Sequence, residues 1–166
     1  MARRRLEQRG DAEPDRILAV LGAHEVECIV IGGVAAIALG ISRITRDLDL
    51  IVAPGKANRR RTIEALVELE AAEYRPASGK WVRIRPKADP DWLLREPRLF
   101  DSRFGGIDIC NAMDEAPRWK PARATAVEVE AFGLSFLVLG RDALIKSKLE
   151  AGREKDLADV AELNEP

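Results

Sequence analysis

Three aspartates stand at positions where their spacing could support metal chemistry. Asp47 and Asp49 alternate with leucines in an otherwise apolar run, and alternation with a period of two is typical of a β-strand. Both carboxylates then leave the same face of that strand, while the leucines enter the core. Asp108 lies between two isoleucines and repeats the arrangement in a second run. If the two strands are neighbours, three carboxylates share one patch.

Carboxylates that close repel one another, so one must stay protonated unless a cation neutralises them. Oxygen ligands select hard cations, and the pattern therefore predicts Mg²⁺ or Mn²⁺ rather than zinc. Two such ions about 3.5–4 Å apart can activate an acceptor hydroxyl and hold a triphosphate for in-line attack. The alternative is an antiparallel sheet with one solvated face, which also places polar residues at alternate positions.

A pair of glycines precedes the first two aspartates. Gly32 and Gly33 follow a predicted buried strand, 27–31, and open a predicted short helix, 34–39. Amides at such a turn suit a phosphate, although a tight strand-to-helix turn needs the same residues. Thirteen residues separate Gly33 from Asp47, enough for one helix and a return loop. Arg43, in that loop, could reach a bound substrate or remain a solvated side chain.

The composition of the chain argues against several classes of function. The chain has 166 residues, of which 46% are hydrophobic, and a net charge of −1, so no global field draws it to nucleic acid or lipid. One histidine and two cysteines leave little basis for a zinc site or a Ser-His-Asp hydrolase. No apolar run is long enough to span a bilayer, and no signal peptide follows the basic start. Cys28 and Cys110 are expected to be reduced thiols of a cytoplasmic protein.

The remaining pattern predicts one α+β, or mixed α/β, domain over residues 1–166: a mixed central sheet flanked by helices. Residues 1–12 are expected to be flexible and residues 141–166 to form a C-terminal helical segment. The predicted helices are 14–21, 34–39, 56–73, 141–151 and 154–163, and the predicted strands are 27–31, 46–52, 81–85, 98–100, 106–110, 126–131 and 134–139. The stretch 75–97 is expected to mix strand and loop.

The order of these features resembles the DNA polymerase β-like nucleotidyltransferase superfamily. That family has a strand, Gly-Gly or Gly-Ser, a short helix and an Asp-x-Asp strand, followed by a later strand with one aspartate. The segment 31–50, with Ile-Gly-Gly-Val-Ala and Ser-Arg-Ile-Thr-Arg-Asp-Leu-Asp-Leu, is similar to minimal bacterial members, including abortive-infection toxins. The segment 144–163 is similar to the Lys…Arg…Lys/Arg-Asp-x-x-Asp tail of such toxins. The family often has serine, whose hydroxyl touches a phosphate, where this chain has Gly33.

The resemblance implies a nucleotidyltransferase that uses an NTP and Mg²⁺ or Mn²⁺. It implies that Lys148 contacts the triphosphate and that Asp156 assists. Lys148 is expected on the outer side of its helix, with Leu149 available for the core and little loss of stability on substitution. Arginines at 59–61, 83 and 85, with Lys87, could form an RNA-facing patch, although such a charge run on a helix is more often a solvated face.

The acceptor stays open at this stage. A tRNA is the first candidate, in a toxin paired with an antitoxin protein. Alternatives are a drug hydroxyl, as in aminoglycoside and lincosamide nucleotidyltransferases, a protein side chain, or a non-catalytic nucleotide-binding domain.

Overall fold

The computed structural model describes residues 10–165, and residues 1–9 and 166 lie outside the described part. Most of the segment expected to be flexible, 1–12, therefore falls outside it. Within the described part, the backbone N–H of Ala12 donates to the carbonyl of Thr45 at 3.0 Å. An added Cβ on Gly105 would lie 2.8 Å from the Cα of Ala12. The chain is thus already packed against the domain at residue 12.

Residues 10–165 form six helices and eight strands. The helices are α1 (Pro14–Ala23), α2 (Gly32–Ala38), α3 (Lys56–Glu68), α4 (Trp119–Thr125), α5 (Arg141–Ala151) and α6 (Glu154–Leu163). The strands are β1 (Cys28–Ile31), β2 (Asp47–Val52), β3 (Ala72–Arg75), β4 (Lys80–Arg83), β5 (Arg98–Ser102), β6 (Gly105–Ile109), β7 (Val127–Ala131) and β8 (Leu134–Val138). A 3₁₀ turn covers Pro90–Trp92.

All eight strands form one mixed sheet in the order β4-β3-β5-β6-β2-β1-β8-β7. The β1–β8 and β2–β6 pairs are parallel, and the other neighbours are antiparallel. The β1–β8 pair joins distant parts of the chain, since Val30 is opposite Val138 and the Leu139 N–H donates to the Val30 carbonyl at 2.9 Å. This sheet with its helices confirms the predicted mixed α/β class.

The buried apolar side chains form one cluster that joins the sheet to its helices. On the central strands Leu48, Leu50 and Ile107 are at most 1% exposed. The helices contact one another in two groups, α1 with α3, and α2 with α5 and α6. The second group covers the sheet near the aspartates. None of the helices in residues 10–165 has the length and apolar character needed to cross a membrane.

Two elements differ from the sequence prediction. Helix α3 was expected to continue to residue 73, but it ends at Glu68, and residues 72–75 form β3. Glu70 adopts a left-handed backbone, φ 55°, and the Ala71 N–H donates back to the Leu66 carbonyl at 2.9 Å. This closes the helix without the glycine that usually signals such an end. The second difference is α4, which was not predicted.

Candidate active site

The three aspartates lie on adjacent strands. Strand β2 pairs in parallel with β6, and the register places Asp49 opposite Asp108 and Asp47 opposite Gly106. All three aspartates are half-buried, whereas the leucines between them are fully buried. The alternation therefore sends the carboxyl groups to the face of the sheet that α2, α5 and α6 partly cover.

Gly32 brings the backbone against this group. Strand β1 pairs with β2 so that Ile31 is opposite Asp49, and Gly32 follows directly with a φ of 64°. A Cβ at Gly32 would lie 2.0 Å from Oδ2 of Asp49. Position 32 therefore requires glycine for both its backbone conformation and its space.

The carboxyl group of Asp49 is held in surroundings that disfavour its charge. Burial and the nearby Asp47 raise its pKa to about 6, against the charges of Lys155 and Arg153 and a hydrogen bond from the Gly33 N–H. A raised pKa from burial and a like charge marks a place where a cation would be favourable. Oxygen donors in this setting fit a hard divalent ion such as Mg²⁺. Among residues 10–165, however, no group of three acidic, histidine or cysteine side chains is gathered into a ready-made metal cluster.

A cavity of about 530 Å³ opens above the aspartates. Every residue that the sequence singled out as a site residue lines it: Gly32, Gly33, Arg43, Asp47, Asp49, Asp108, Lys148 and Asp156. The cavity also has apolar lining residues that were not foreseen: Pro76, Pro97, Leu99, Met113, Ala116 and Leu144. These residues come from the end of β3, the start of β5, the interior of α5 and the loop after β6, so no local sequence pattern predicts them.

Gly33 departs from the serine that is frequent in the family, and the structure gives a local reason. A Cβ at Gly33 would lie 2.8 Å from Oγ1 of Thr45 and 3.6 Å from Nη2 of Arg43. The Thr45 hydroxyl donates to the carbonyl of Asp47 at 3.2 Å. Thr45 thus places a hydroxyl beside Gly33, in space that a serine side chain there would need.

Lys148 is buried, and the expectation that it lies on the outer side of its helix is wrong. It is 4% exposed, whereas Leu149, expected in the core, is 53% exposed. Its Nζ lies 2.5 Å from Oδ2 of Asp159 and 3.5 Å from Oδ1 of Asp156. Helix α6 packs on α5, and the two buried carboxylates of α6 draw the lysine inward. The charge of Lys148 therefore joins two helices.

The ion pairs around Lys148 extend to two arginines. Arg43 donates to Oδ2 of Asp159 at 2.5 Å, and Arg153 donates to Oδ2 of Asp156, also at 2.5 Å. Burial alone would raise the pKa of Asp156, but the hydrogen bond from Arg153 and the charges of Arg153 and Lys148 outweigh it, so the pKa is lowered. Both carboxylates of α6 are thus neutralised by the protein's own cations.

The arginines considered as an RNA-facing patch do not line the cavity. Arg59 pairs with Asp91 at 3.0 Å, and Arg60 donates to the carbonyl of Ala88 at 3.1 Å. Arg61 donates to the side chain of Asn58 at 3.3 Å. These contacts fasten α3 to the segment around the 3₁₀ turn and to itself. Arg59, Arg60 and Arg61 are half-buried and bonded within the chain, so they do not form the solvated helix face expected as the alternative to an RNA-facing patch.

The mixed sheet with its paired aspartate strands is the nucleotidyltransferase fold. A crystal structure of the lincosamide antibiotic adenylyltransferase LnuA, with lincomycin bound, is similar to this chain with a TM-score of 0.62 and 14% sequence identity. The similarity covers 93% of this chain and 98% of that one. No protein-family model matches the chain, and no curated protein matches its sequence. At this identity the likeness establishes the fold.

Proposed function

We propose that the protein is a metal-dependent nucleotidyltransferase that moves the nucleotidyl group of an NTP onto an acceptor hydroxyl. The observation that carries the proposal is the register of β2 and β6, which sets Asp49 opposite Asp108, with Asp47 on the same face. These aspartates and the Gly32 turn meet in one cavity. The likeness of fold to an adenylyltransferase supports the same reaction class.

Asp47, Asp49 and Asp108 would hold the divalent ions. When bound, Mg²⁺ lowers the pKa of an acceptor hydroxyl and neutralises charge that develops on the triphosphate. The Gly33 N–H already donates to Asp49, so the glycine turn fixes the direction of that carboxylate. Because Gly32 has no side chain, the Asp49 carboxylate can lie directly against the backbone there. Arg43 and Asp156 lie in the same cavity and orient the helices around it.

For the acceptor, we propose the hydroxyl of a small molecule. Apolar side chains, among them Leu99 and Met113, line part of the cavity, as suits a compact organic ligand. Arg59 to Arg61 lie away from the cavity and are engaged within the chain. LnuA, whose structure is similar, is named as an adenylyltransferase of lincosamide antibiotics, which are small molecules. The alternative acceptor is a tRNA, in a toxin with an antitoxin partner. It is supported by the resemblance of segment 144–163 to the tail of abortive-infection toxins, and the same experiment tests it.

Transfer can be measured directly. The protein is incubated with Mg²⁺ and each of four α-labelled NTPs in turn, together with total tRNA, lincomycin or an aminoglycoside. Label is then followed on a denaturing gel for RNA and protein and by thin-layer chromatography for the drugs. We expect label on a small molecule and its loss in Asp47→Ala. Asp142→Ala, at an exposed position of α5 outside the cavity, is the matched control and should keep full activity.

The outcomes test the nucleotidyltransferase reaction and the small-molecule acceptor separately. Label on tRNA would replace the small-molecule acceptor and leave nucleotidyl transfer standing. Label on the protein itself would indicate a protein acceptor. Absence of transfer from every NTP, together with no rise of the melting temperature on Mg²⁺ titration, would contradict the enzyme. In wild type we expect Mg²⁺ to raise the melting temperature, and we expect Asp49→Asn to abolish that rise.

A further inference from the structure

Four cationic side chains line the cavity, and they differ in what they already bind. Arg43 pairs with Asp159, and Arg153 pairs with Asp156. Lys148 pairs with both of those aspartates. Lys155 is exposed, and no ion pair or hydrogen bond to it occurs within residues 10–165. A triphosphate carries more negative charge than two divalent ions cancel, so a nearby free cation is what the proposed reaction needs.

Lys148 is poorly suited to that task. Turning its ammonium group toward a ligand would leave Asp156 with Arg153 alone and Asp159 with Arg43 alone, although the two aspartates are only 2% and 4% exposed. Removing one partner from a buried ion-pair network is unfavourable. The ion pairs therefore hold Lys148 in place as a positioning residue for α6.

Lys155 has the opposite properties. It lies in the first turn of α6, one residue before Asp156, so the Lys148 ion pairs set the position of its backbone. Its charge acts on Asp49, whose pKa it lowers, and both residues line the cavity. A flexible exposed lysine can reach a phosphate without breaking any contact.

We propose that Lys155, not Lys148, is the lysine that binds the phosphate chain of the NTP. This inference rests on the proposed nucleotidyltransferase function and assigns one residue of its substrate site. Lys148 does not contact the phosphate chain; its ion pairs hold helix α6, which carries Lys155, in position.

The test compares binding of the four Mg-NTPs and of Mg-tripolyphosphate, which lacks a base and a sugar. The variants are Lys155→Ala and Lys155→Arg. Lys146→Ala is the matched control, because Lys146 is exposed on α5 and does not line the cavity. We expect Lys155→Ala to weaken both the NTP and tripolyphosphate about tenfold or more, as for loss of a charged hydrogen bond. Lys155→Arg should retain most of the affinity, and Lys146→Ala should match wild type.

Other results would overturn the inference. Wild-type affinity in Lys155→Ala, or loss for NTP but not for tripolyphosphate, would mean that Lys155 does not bind the phosphate chain. The Mg²⁺ concentration at the midpoint of thermal stabilisation, without nucleotide, should stay the same or fall in Lys155→Ala because a repelling charge is removed. A clear rise would mean that the lysine acts only through Asp49. If wild type binds no NTP at all, the proposed function fails instead, which is a distinguishable result.

Discussion

The cavity is bordered by two groups of carboxylates that have the same chemistry and opposite surroundings. On the sheet, burial and the neighbouring Asp47 raise the pKa of Asp49 to about 6. On α6, the Asp156 side chain is also buried, yet its pKa is lowered because Arg153 and Lys148 bind it. Asp159 is held by Lys148 and Arg43.

The contrast shows that neighbouring charges, together with burial, set the pKa of a carboxyl group in this protein. The helix carboxylates bring their own cations and fix the positions of α5 and α6. At Asp49 the charges of Lys155 and Arg153 do not outweigh burial and the nearby Asp47, and an added cation would relieve that repulsion. The carboxylates of α6 are therefore suited to stabilising the fold, and those of the sheet are suited to binding a cation. Four substitutions can test this division.

Lys148→Met should produce the largest loss. It keeps the side chain's length but removes the cation shared by two buried aspartates, and breaking such a buried pair costs about 3–5 kcal/mol of unfolding free energy. Urea denaturation of the variant measures the loss. Lys146→Met, at an exposed position of the same helix, should change stability by less than about 0.5 kcal/mol. Equal effects of the two substitutions would show that the Lys148 ion pairs add nothing to stability.

Gly32→Ala should cost about 2–3 kcal/mol of unfolding free energy, because φ is 64° there and the new Cβ would meet Asp49 Oδ2 at 2.0 Å. It also displaces the carboxylate, so Mg²⁺ stabilisation should weaken. Gly22→Ala is the control: Gly22 lies in α1, and nothing lies within 4 Å of an added Cβ. That change should be neutral or stabilising. A fully tolerated Gly32→Ala would contradict the close approach.

Asp156→Asn should destabilise the protein by about 1–3 kcal/mol at neutral pH, since charged hydrogen bonds are lost. The sign of the pH dependence follows from the lowered pKa of Asp156. Its contribution is present above the ordinary pKa of aspartate and disappears as the pH falls through the lowered value. Denaturation curves of wild type and variant should therefore converge in acid. A gap that persists there would point to packing rather than charge.

Asp49→Asn should have the opposite sign, a gain of about 1–2 kcal/mol in metal-free protein at pH 8, after allowance for solvent screening. Asp49 titrates near 6 when folded and near 4 when unfolded. The folded state therefore binds more protons between these values, and wild-type stability falls as the pH rises through this range. The gain should be absent below about pH 4 and complete above about pH 6. Thermal melts with a chelator across this range measure it, and a loss at pH 8 would contradict the assigned surroundings of Asp49.

The sequence predicted the elements whose patterns are local. Period-two alternation located β2 and β6, and the strands predicted over 126–131 and 134–139 are β7 and β8 of the structure. The bounds of α5 and α6 agree with the prediction as well. In these segments the spacing of apolar residues along the chain agrees with the secondary structure that the folded protein adopts.

Long-range packing produced what the sequence could not predict. The end of α3 depends on Glu70 adopting a left-handed backbone to start β3, although glutamate favours helix. The burial of Lys148 depends on two aspartates in the next helix, whereas lysine as a type predicts exposure. The apolar lining residues of the cavity come from segments that lie far apart in the chain. Each of these features depends on contacts with residues that are distant in the sequence, which local sequence patterns do not reveal.

The parallel pairing of β1 with β8 bears on how the chain folds during synthesis. Contacts between such distant segments form slowly because a long loop must close first. Until residues 134–138 emerge from the ribosome, β1 has β2 on one side and a bare hydrogen-bonding edge on the other. A bare apolar edge invites pairing with other chains. The nascent protein should therefore be most prone to aggregate, and most in need of chaperones, just before β8 is complete.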